Sequence, residues 1–195
     1  QIEGIPVFHS ILDAVNAQGP INIVVQFVPS LHALRATTEA LSAEIPFILV
    51  GAEKVPVHDA LRMVALARKK NAILIGPGSV GMIIPTKKLK IGMIGGSTPL
   101  RAFMPGNIAV LSKSGGMTSE IAHLLKQYGL GVSLGVGLGG ERIMGSDFAD
   151  ILSLLECDTN TKASVIFGEL GGWGEERVAE AVKHGLITKP VVAFI

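Results

Sequence analysis

One stretch narrows the folds open to this chain: Gly106-Asn107-Ile108-Ala109-Val110-Leu111-Ser112-Lys113-Ser114-Gly115-Gly116-Met117-Thr118-Ser119-Glu120. Ile108 to Leu111 read as a buried strand, after which Met117, Ile121, Leu124 and Leu125 fall on one helical face. The chain thus passes from strand to helix through Ser112–Gly116, as in a parallel sheet with covering helices. A first helical turn leaves N–H groups without intrahelical partners, and the helix dipole adds about half a positive charge there. Gly115 and Gly116 carry no Cβ to hold an anion off, and Ser112, Ser114 and Thr118 add hydroxyl groups. The stretch reads either as a cradle for phosphate or carboxylate or as an N-cap at Ser114 with glycines that only permit a tight turn.

The same alternation runs through the rest of the chain. Before this stretch, helices are expected over 10–18, 31–43 and 57–70, and strands over 21–28, 46–51 and 72–75. The inward faces are expected at Ile11, Leu12 and Val15, at Leu31, Leu34, Thr38 and Leu41, and at Leu61, Val64 and Leu66. After it, strands are expected over 131–136, 163–168 and 190–195, with helices over 146–157 and 175–184. Between the halves, 76–106 loses helical periodicity and gathers turn formers around a strand-like pair, 82–84 and 89–94. The expected fold class is α/β: the later part of a Rossmann-like domain over 1–76, a linker or hairpin segment over 77–106, and a flavodoxin-like parallel domain over 107–195. Both ends read as cut, so a fragment of a longer protein is expected.

Composition removes several functional classes. A net charge of +1 offers no electrostatic reason to bind nucleic acid or an anionic membrane. The single cysteine, Cys157, leaves no disulfide framework and no metal-binding cysteine set, so no metal site is expected. No apolar run reaches the ~18 residues that a spanning helix needs, and the first residues show no signal-peptide pattern. A cytoplasmic protein is expected, or one of the mitochondrial matrix in a eukaryote.

Several strand ends carry candidate chemistry. Gly135-Val136-Gly137-Leu138-Gly139-Gly140 has the wrong glycine spacing for a dinucleotide fingerprint. Glu169 follows an apolar strand and precedes Gly171 and Gly172, at the same sheet edge as Ser112–Gly116. A carboxylate there either caps the next helix or works with a cationic third party such as a histidine, because alone it would repel an anion. None of the five histidines lies in a glycine-rich loop that suits a nucleophile. Val28-Pro29-Ser30 and Glu53 end neighbouring strands, where nucleotide-like ligands bind in open α/β sheets; ordinary loop residues look the same.

Taken in order, Gly4-Ile5-Pro6-Val7-Phe8, Ser112–Met117, Gly145-Ser146-Asp147-Phe148, Gly168-Glu169-Leu170-Gly171-Gly172 and Thr188-Lys189-Pro190-Val191-Val192 resemble the α subunit of succinyl-CoA synthetase and the matching segment of ATP-citrate lyase. The resemblance covers nearly the whole chain and makes the first domain an incomplete CoA-binding one. It implies a nucleotide-diphosphate-forming acid–CoA ligase, in which an ATP-grasp β-type partner phosphorylates a histidine. The phosphoryl group then passes to a carboxylic acid, and CoA attacks the acyl phosphate. By position, Ser112, Ser114, Gly115 and Gly116 would hold the phosphoryl group, Glu169 would orient and charge-stabilise the phosphohistidine, and Val28, Pro29, Ser30 and Glu53 would line the CoA site. ATP or GTP with magnesium would bind mainly to the partner, in a hetero-oligomer.

The family's phosphorylated histidine lies in a Gly-His-Ala-Gly loop that this sequence lacks, and its first glycine-rich CoA loop is missing too, so the fragment alone is expected to be inactive. Succinyl-CoA synthetases read Gly-Pro-Asn-Cys-Pro-Gly where this chain has Gly76-Pro77-Gly78-Ser79-Val80-Gly81, and Ser-Gly-Thr-Leu-Thr where it has Ser114–Thr118. These departures make Gly78, Ser79 and Val80 a candidate substrate loop and lean toward citrate, with succinate as the alternative acid. A non-catalytic CoA-binding sensor is the alternative of another class.

Overall fold

The computed structural model describes residues 2–195; Gln1 lies outside the described residues. The first part alternates α1 (Ile11–Gln18), β1 (Ile23–Gln26), α2 (Ala33–Ser42), β2 (Phe47–Val50), α3 (Val57–Lys69) and β3 (Ile73–Ile75). Its three strands are parallel and lie in sequence order. The second part comprises β4 (Gly81–Ile84), β5 (Leu89–Gly92), β6 (Pro105–Ser112), α4 (Gly115–Gln127), β7 (Val132–Gly137), α5 (Phe148–Glu156), β8 (Ala163–Phe167), α6 (Gly174–Lys183) and β9 (Val191–Phe194). The order in its six-stranded sheet is β5-β4-β7-β6-β8-β9.

The parallel strands are β7, β6, β8 and β9. β4 and β5 form an antiparallel hairpin, and β4 also pairs antiparallel with β7. The strand-like pair of the 77–106 segment is therefore an edge of the second sheet, which is mixed where a parallel one was expected. Pairing of Gly81–Ile83 with Gly135–Gly137 attaches it there, and within the hairpin the main chains come so close that a Cβ on Gly81 would lie 1.9 Å from the carbonyl oxygen of Ile91.

The helices bury only part of the expected faces: Leu41 and Val64 are buried as expected, and Ile11, Val15, Leu34 and Leu66 are partly buried, while alanines take much of the remaining contact. α2 buries Ala33, Thr37, Ala40 and Leu41, while Leu31 and Thr38 are exposed. α3 buries Ala60, Met63, Val64 and Ala67, and Leu61 is exposed. On α1, Leu12 is exposed and no residue is fully buried. α4 buries Thr118 and Ala122 and leaves Leu124 out. Alanine stripes let α2, α3 and the sheet approach closely, and close packing rather than side-chain size selects the inward face.

The two sheets share a core. Leu49 and Ile75 of the first lie in one buried cluster with Leu111, Val136, Leu138, Phe148 and Leu152 of the second. Along the free edge of β3, Gly145 N–H donates to the Gly76 carbonyl and Ser146 N–H to that of Leu74, at 2.9 and 2.7 Å. A Cβ on Gly145 would fall 2.1 Å from the Leu74 carbonyl oxygen, so glycine is needed for this pairing. Asp147 then starts α5 as its N-cap in a reciprocal box with Asp150, and Arg177 of α6 binds both carboxylates.

Candidate functional site at the strand ends

The carboxyl ends of β6 and β8, neighbours in the second sheet, bring Ser112–Gly116 and Glu169 to one edge. At the end of β6, Ser112 is fully buried, and its Oγ accepts the Ser114 N–H at 2.9 Å. Ser114 is the N-cap of α4, and its Oγ accepts the Met117 N–H at 3.4 Å. Thr118 turns its hydroxyl back to the Ser114 carbonyl, at 3.0 Å. These hydroxyls shape the turn. Among the described residues, neither the Gly115 nor the Gly116 N–H makes a hydrogen bond, which leaves two donors at the helix start.

The two glycines differ in setting. A Cβ on Gly115 would lie 2.4 Å from Val80 Cγ1, so Val80 covers this position. Gly116 is exposed, and a Cβ there would meet only Ser114 Oγ, at 4.0 Å. Val80 also fills the space over Gly137, 2.4 Å from where its Cβ would stand.

Glu169 is exposed beyond the end of β8. It does not cap α6, whose N-cap is Trp173 with no side-chain cap bond. Its carboxylate stands beside the β6–α4 turn: a Cβ on Gly140 would be 3.5 Å from Glu169 Oε2 and 3.9 Å from the Lys113 carbonyl oxygen. The loop that carries it rests on Lys113, whose Nζ lies 2.7 Å from Glu175 Oε1. A lysine between an apolar strand and a glycine turn ordinarily reads as solvated, and sequence reasoning assigned it no role.

The 76–80 loop joins the two groups of strand ends. Gly78 N–H donates to the Ala52 carbonyl at 2.8 Å and Ser79 N–H to that of Val50 at 3.1 Å. The Ser79 hydroxyl is buried, donates to the Gly137 carbonyl at 2.6 Å and accepts the Gly81 N–H at 3.0 Å. Gly78 is half-buried beside two acidic side chains: its Cβ would be 3.2 Å from Glu141 Cγ and 3.8 Å from Glu53 Cγ. Glu141, which sequence reasoning missed, accepts the Lys54 N–H at 2.5 Å.

Val28 is half-buried against the first core after β1, Pro29 is exposed, and Ser30 opens a short 3-10 turn, Ser30–His32. Glu53 is exposed at the corresponding level after β2. Between them the exposed Phe27 ring lies over Gly51, where a Cβ would fall 2.2 Å from Phe27 Cε1. The arrangement is a shallow strand-end ledge with an apolar plate, backbone turns and a carboxylate, which suits a long amphipathic ligand. Among the described residues no group of three or more histidine, cysteine or acidic side chains could hold a metal ion, and no helix is long and apolar enough to cross a membrane.

Comparison with known proteins agrees with this layout. Residues 105–195 match the family described as succinyl-CoA ligase like flavodoxin domain, and residues 1–54 match the CoA binding domain. The α2 subunit of an ADP-forming succinate–CoA ligase from Archaeoglobus fulgidus is 41% identical over 195 residues, covering 100% of this chain and 65% of that protein. A subunit of an ADP-forming sulfoacetate–CoA ligase from Acholeplasma is 38% identical, covering 100% of this chain and 64% of that protein. The chain thus spans a little under two thirds of the length of these relatives. The structure of ATP citrate lyase from Methanothrix soehngenii with citrate and coenzyme A superimposes with a TM-score of 0.89 at 34% identity, over 95% of this chain and 31% of that one. Two matching domains in family order, relatives along the full chain and the shared architecture place the protein in the superfamily of succinyl-CoA synthetase α subunits and ATP-citrate lyase.

Proposed function

We propose that the complete protein is the α-type part of a nucleotide-diphosphate-forming acid–CoA ligase. One observation carries the reading: two unbonded N–H groups at a helix start lie at the same strand-end edge as the Glu169 carboxylate, which is set beside that turn at Gly140. The amides and helix dipole favour a phosphoryl group, and Glu169 suits the cationic imidazole of a phosphorylated histidine supplied from outside this sequence. The phosphoryl group passes from a nucleoside triphosphate to that imidazole and then to a substrate carboxylate. The CoA thiol then displaces phosphate from the acyl phosphate. The protein's part is positioning and charge stabilisation.

Coenzyme A supplies the attacking thiol and would lie along Val28, Pro29, Ser30, Phe27 and Glu53. ATP or GTP with magnesium would be held by an ATP-grasp partner, a reading supported by relatives that are themselves named as α subunits of larger ligases. The active form is then a cytoplasmic hetero-oligomer, with a division into 1–76 for CoA, 77–106 as the connecting hairpin and 107–195 for ligation.

For the acid, the 76–81 loop, the Gly115-Gly116 turn and the resemblance to a citrate-bound lyase favour citrate. Succinate is the second reading, favoured by the 41% identity to a succinate–CoA ligase subunit. Within the loop, Ser79 and Val80 act by shaping it, and Gly78 is the member at the opening. The test is discharge of the labelled phosphoenzyme of the complete complex by citrate or by succinate, each with CoA. Discharge by neither acid would contradict both assignments.

A further inference from the structure

Lys113 is more thoroughly engaged than a βα turn requires. Its side chain is 7% exposed, and its Nζ sits 2.7 Å from Glu175 Oε1, 3.2 Å from the Glu169 carbonyl oxygen and 3.2 Å from that of Gly171. It also lies 5.9 Å from the centre of the Phe148 ring. An ammonium has three N–H donors, so one carboxylate and two carbonyls of a single loop satisfy them all.

Glu175 closes the arrangement from the other side. Its Oε1 accepts the Glu169 N–H at 3.3 Å. Glu169 is therefore held at both its peptide groups, through Glu175 at the N–H and through Lys113 at the carbonyl. Gly168 makes room for this, since a Cβ there would lie 2.3 Å from Glu175 Oε1. The loop gains little from burial, because Leu170 and Trp173 are 96% and 77% exposed, and Gly171 and Gly172 adopt φ of 103° and 94°. Polar ties to Lys113 and Glu175 are what can order such a segment.

We propose that Lys113, paired with Glu175, is a positioning residue that fixes the Glu169–Gly171 backbone and so presents the Glu169 carboxylate to the β6–α4 turn. The proposal rests on the ligase reading above. The pair also settles the local charge. Lys113 and Glu175 neutralise each other below the loop, and Glu169 remains its charged group toward the site.

Lys113→Met alone would leave Glu175 buried without a partner and could fail to fold for that reason. The decisive variant is Lys113→Met with Glu175→Gln, which removes both charges yet keeps an oxygen acceptor for the Glu169 N–H. The full-length chain, assembled with its nucleotide-binding partner, would be compared with wild type in four ways. These are thermal melting, hydrogen exchange at residues 169–173, the rate of protein labelling by labelled nucleoside triphosphate, and the KM for CoA. The expected result is unchanged melting, about tenfold faster exchange in the loop, labelling slowed about 10- to 100-fold and an unchanged KM for CoA. A stable double variant with wild-type exchange and labelling would overturn the proposal, as would losses that only follow a fall in melting temperature. If the wild-type complex takes no label, the ligase reading fails, and loop exchange alone then decides whether the brace exists.

Discussion

The Lys54 N–H donates to Glu141 Oε1 at 2.5 Å, which ties the loop after β2 to the loop after β7. With Glu53 and Glu141 both standing over Gly78, three loops from two sheets meet at one point. Glu141→Ala removes this tie. It is expected to raise the KM for CoA severalfold and to cost about 1 kcal/mol of stability, with phosphoenzyme labelling unchanged. Glu141→Gln keeps the acceptor and should resemble wild type. Steady-state kinetics of the complete complex check this, and a loss of labelling with unchanged KM would contradict it.

The neighbouring glycines of the helix start should respond differently to alanine. Gly115→Ala drives a methyl group into Val80, 2.4 Å from Cγ1, and is expected to destabilise by about 1–3 kcal/mol despite the better helix propensity of alanine. Adding Val80→Ala should recover most of that loss. Gly116→Ala meets open space and should be neutral or stabilising by up to about 1 kcal/mol, while phosphoryl binding weakens as the methyl group crowds the two free amides. Thermal melting and labelling of the same variants separate the two effects.

Ser79 acts through its hydrogen bonds. Ser79→Ala strands the Gly137 carbonyl and the Gly81 N–H at a buried point, and a loss of about 1–3 kcal/mol is expected in denaturant unfolding. Its effect on the choice between citrate and succinate should be small, because the hydroxyl is turned to backbone. A reversal of acid preference in this variant would contradict that placement.

Acid sensitivity should come from the underside of α5. The Thr188 hydroxyl, bonded to Glu156 Oε2 at 2.7 Å, holds the Glu156 carboxyl below its ordinary range, with help from the Lys189 N–H. Thr161 does the same to Asp158, aided by Asn160. A carboxyl lowered in the folded state contributes stability that is complete above its unfolded pKa, about 4.3 for Glu. That contribution is lost as pH falls through the folded value. Asp147 runs the other way: burial raises it against the opposing bond from Asp150 N–H and the charge of Arg177, so its contribution holds at low pH and is lost as pH rises through its folded value. Thr188→Val should therefore be less stable than wild type near neutral pH, with the gap closing toward pH ~3. Unfolding curves at several pH values check the sign, and a gap that widens in acid would contradict it.

The strand–helix alternation was legible because each element declares itself locally, and Ser114 and Asp147 announce helix starts by residue type. What escaped depends on distant partners. The 81–92 hairpin reads as a connector until Gly81 and Gly92 are seen in backbone contact and β4 is seen against β7. Ala33, Ala40, Ala60 and Ala67 outrank larger neighbours as packing residues only because close approach of helices rewards small side chains. Lys113 acquires its setting from Glu175 and from the missing side chain of Gly168, and Glu141 from the backbone of Lys54. Glu169 stands out in the sequence because a carboxylate between a strand end and two glycines has few local uses, and its carboxylate lies beside the β6–α4 turn.

The most direct test is to mix the complete complex with labelled nucleoside triphosphate and ask whether label enters the protein in an acid-labile, base-stable form and leaves when a carboxylic acid and CoA are added. If the phosphohistidine chemistry holds, the wild type is labelled, citrate with CoA discharges it, and Glu169→Gln reduces labelling at least tenfold. Absence of label on the wild-type complex, or full labelling of a folded Glu169→Gln variant, would contradict it.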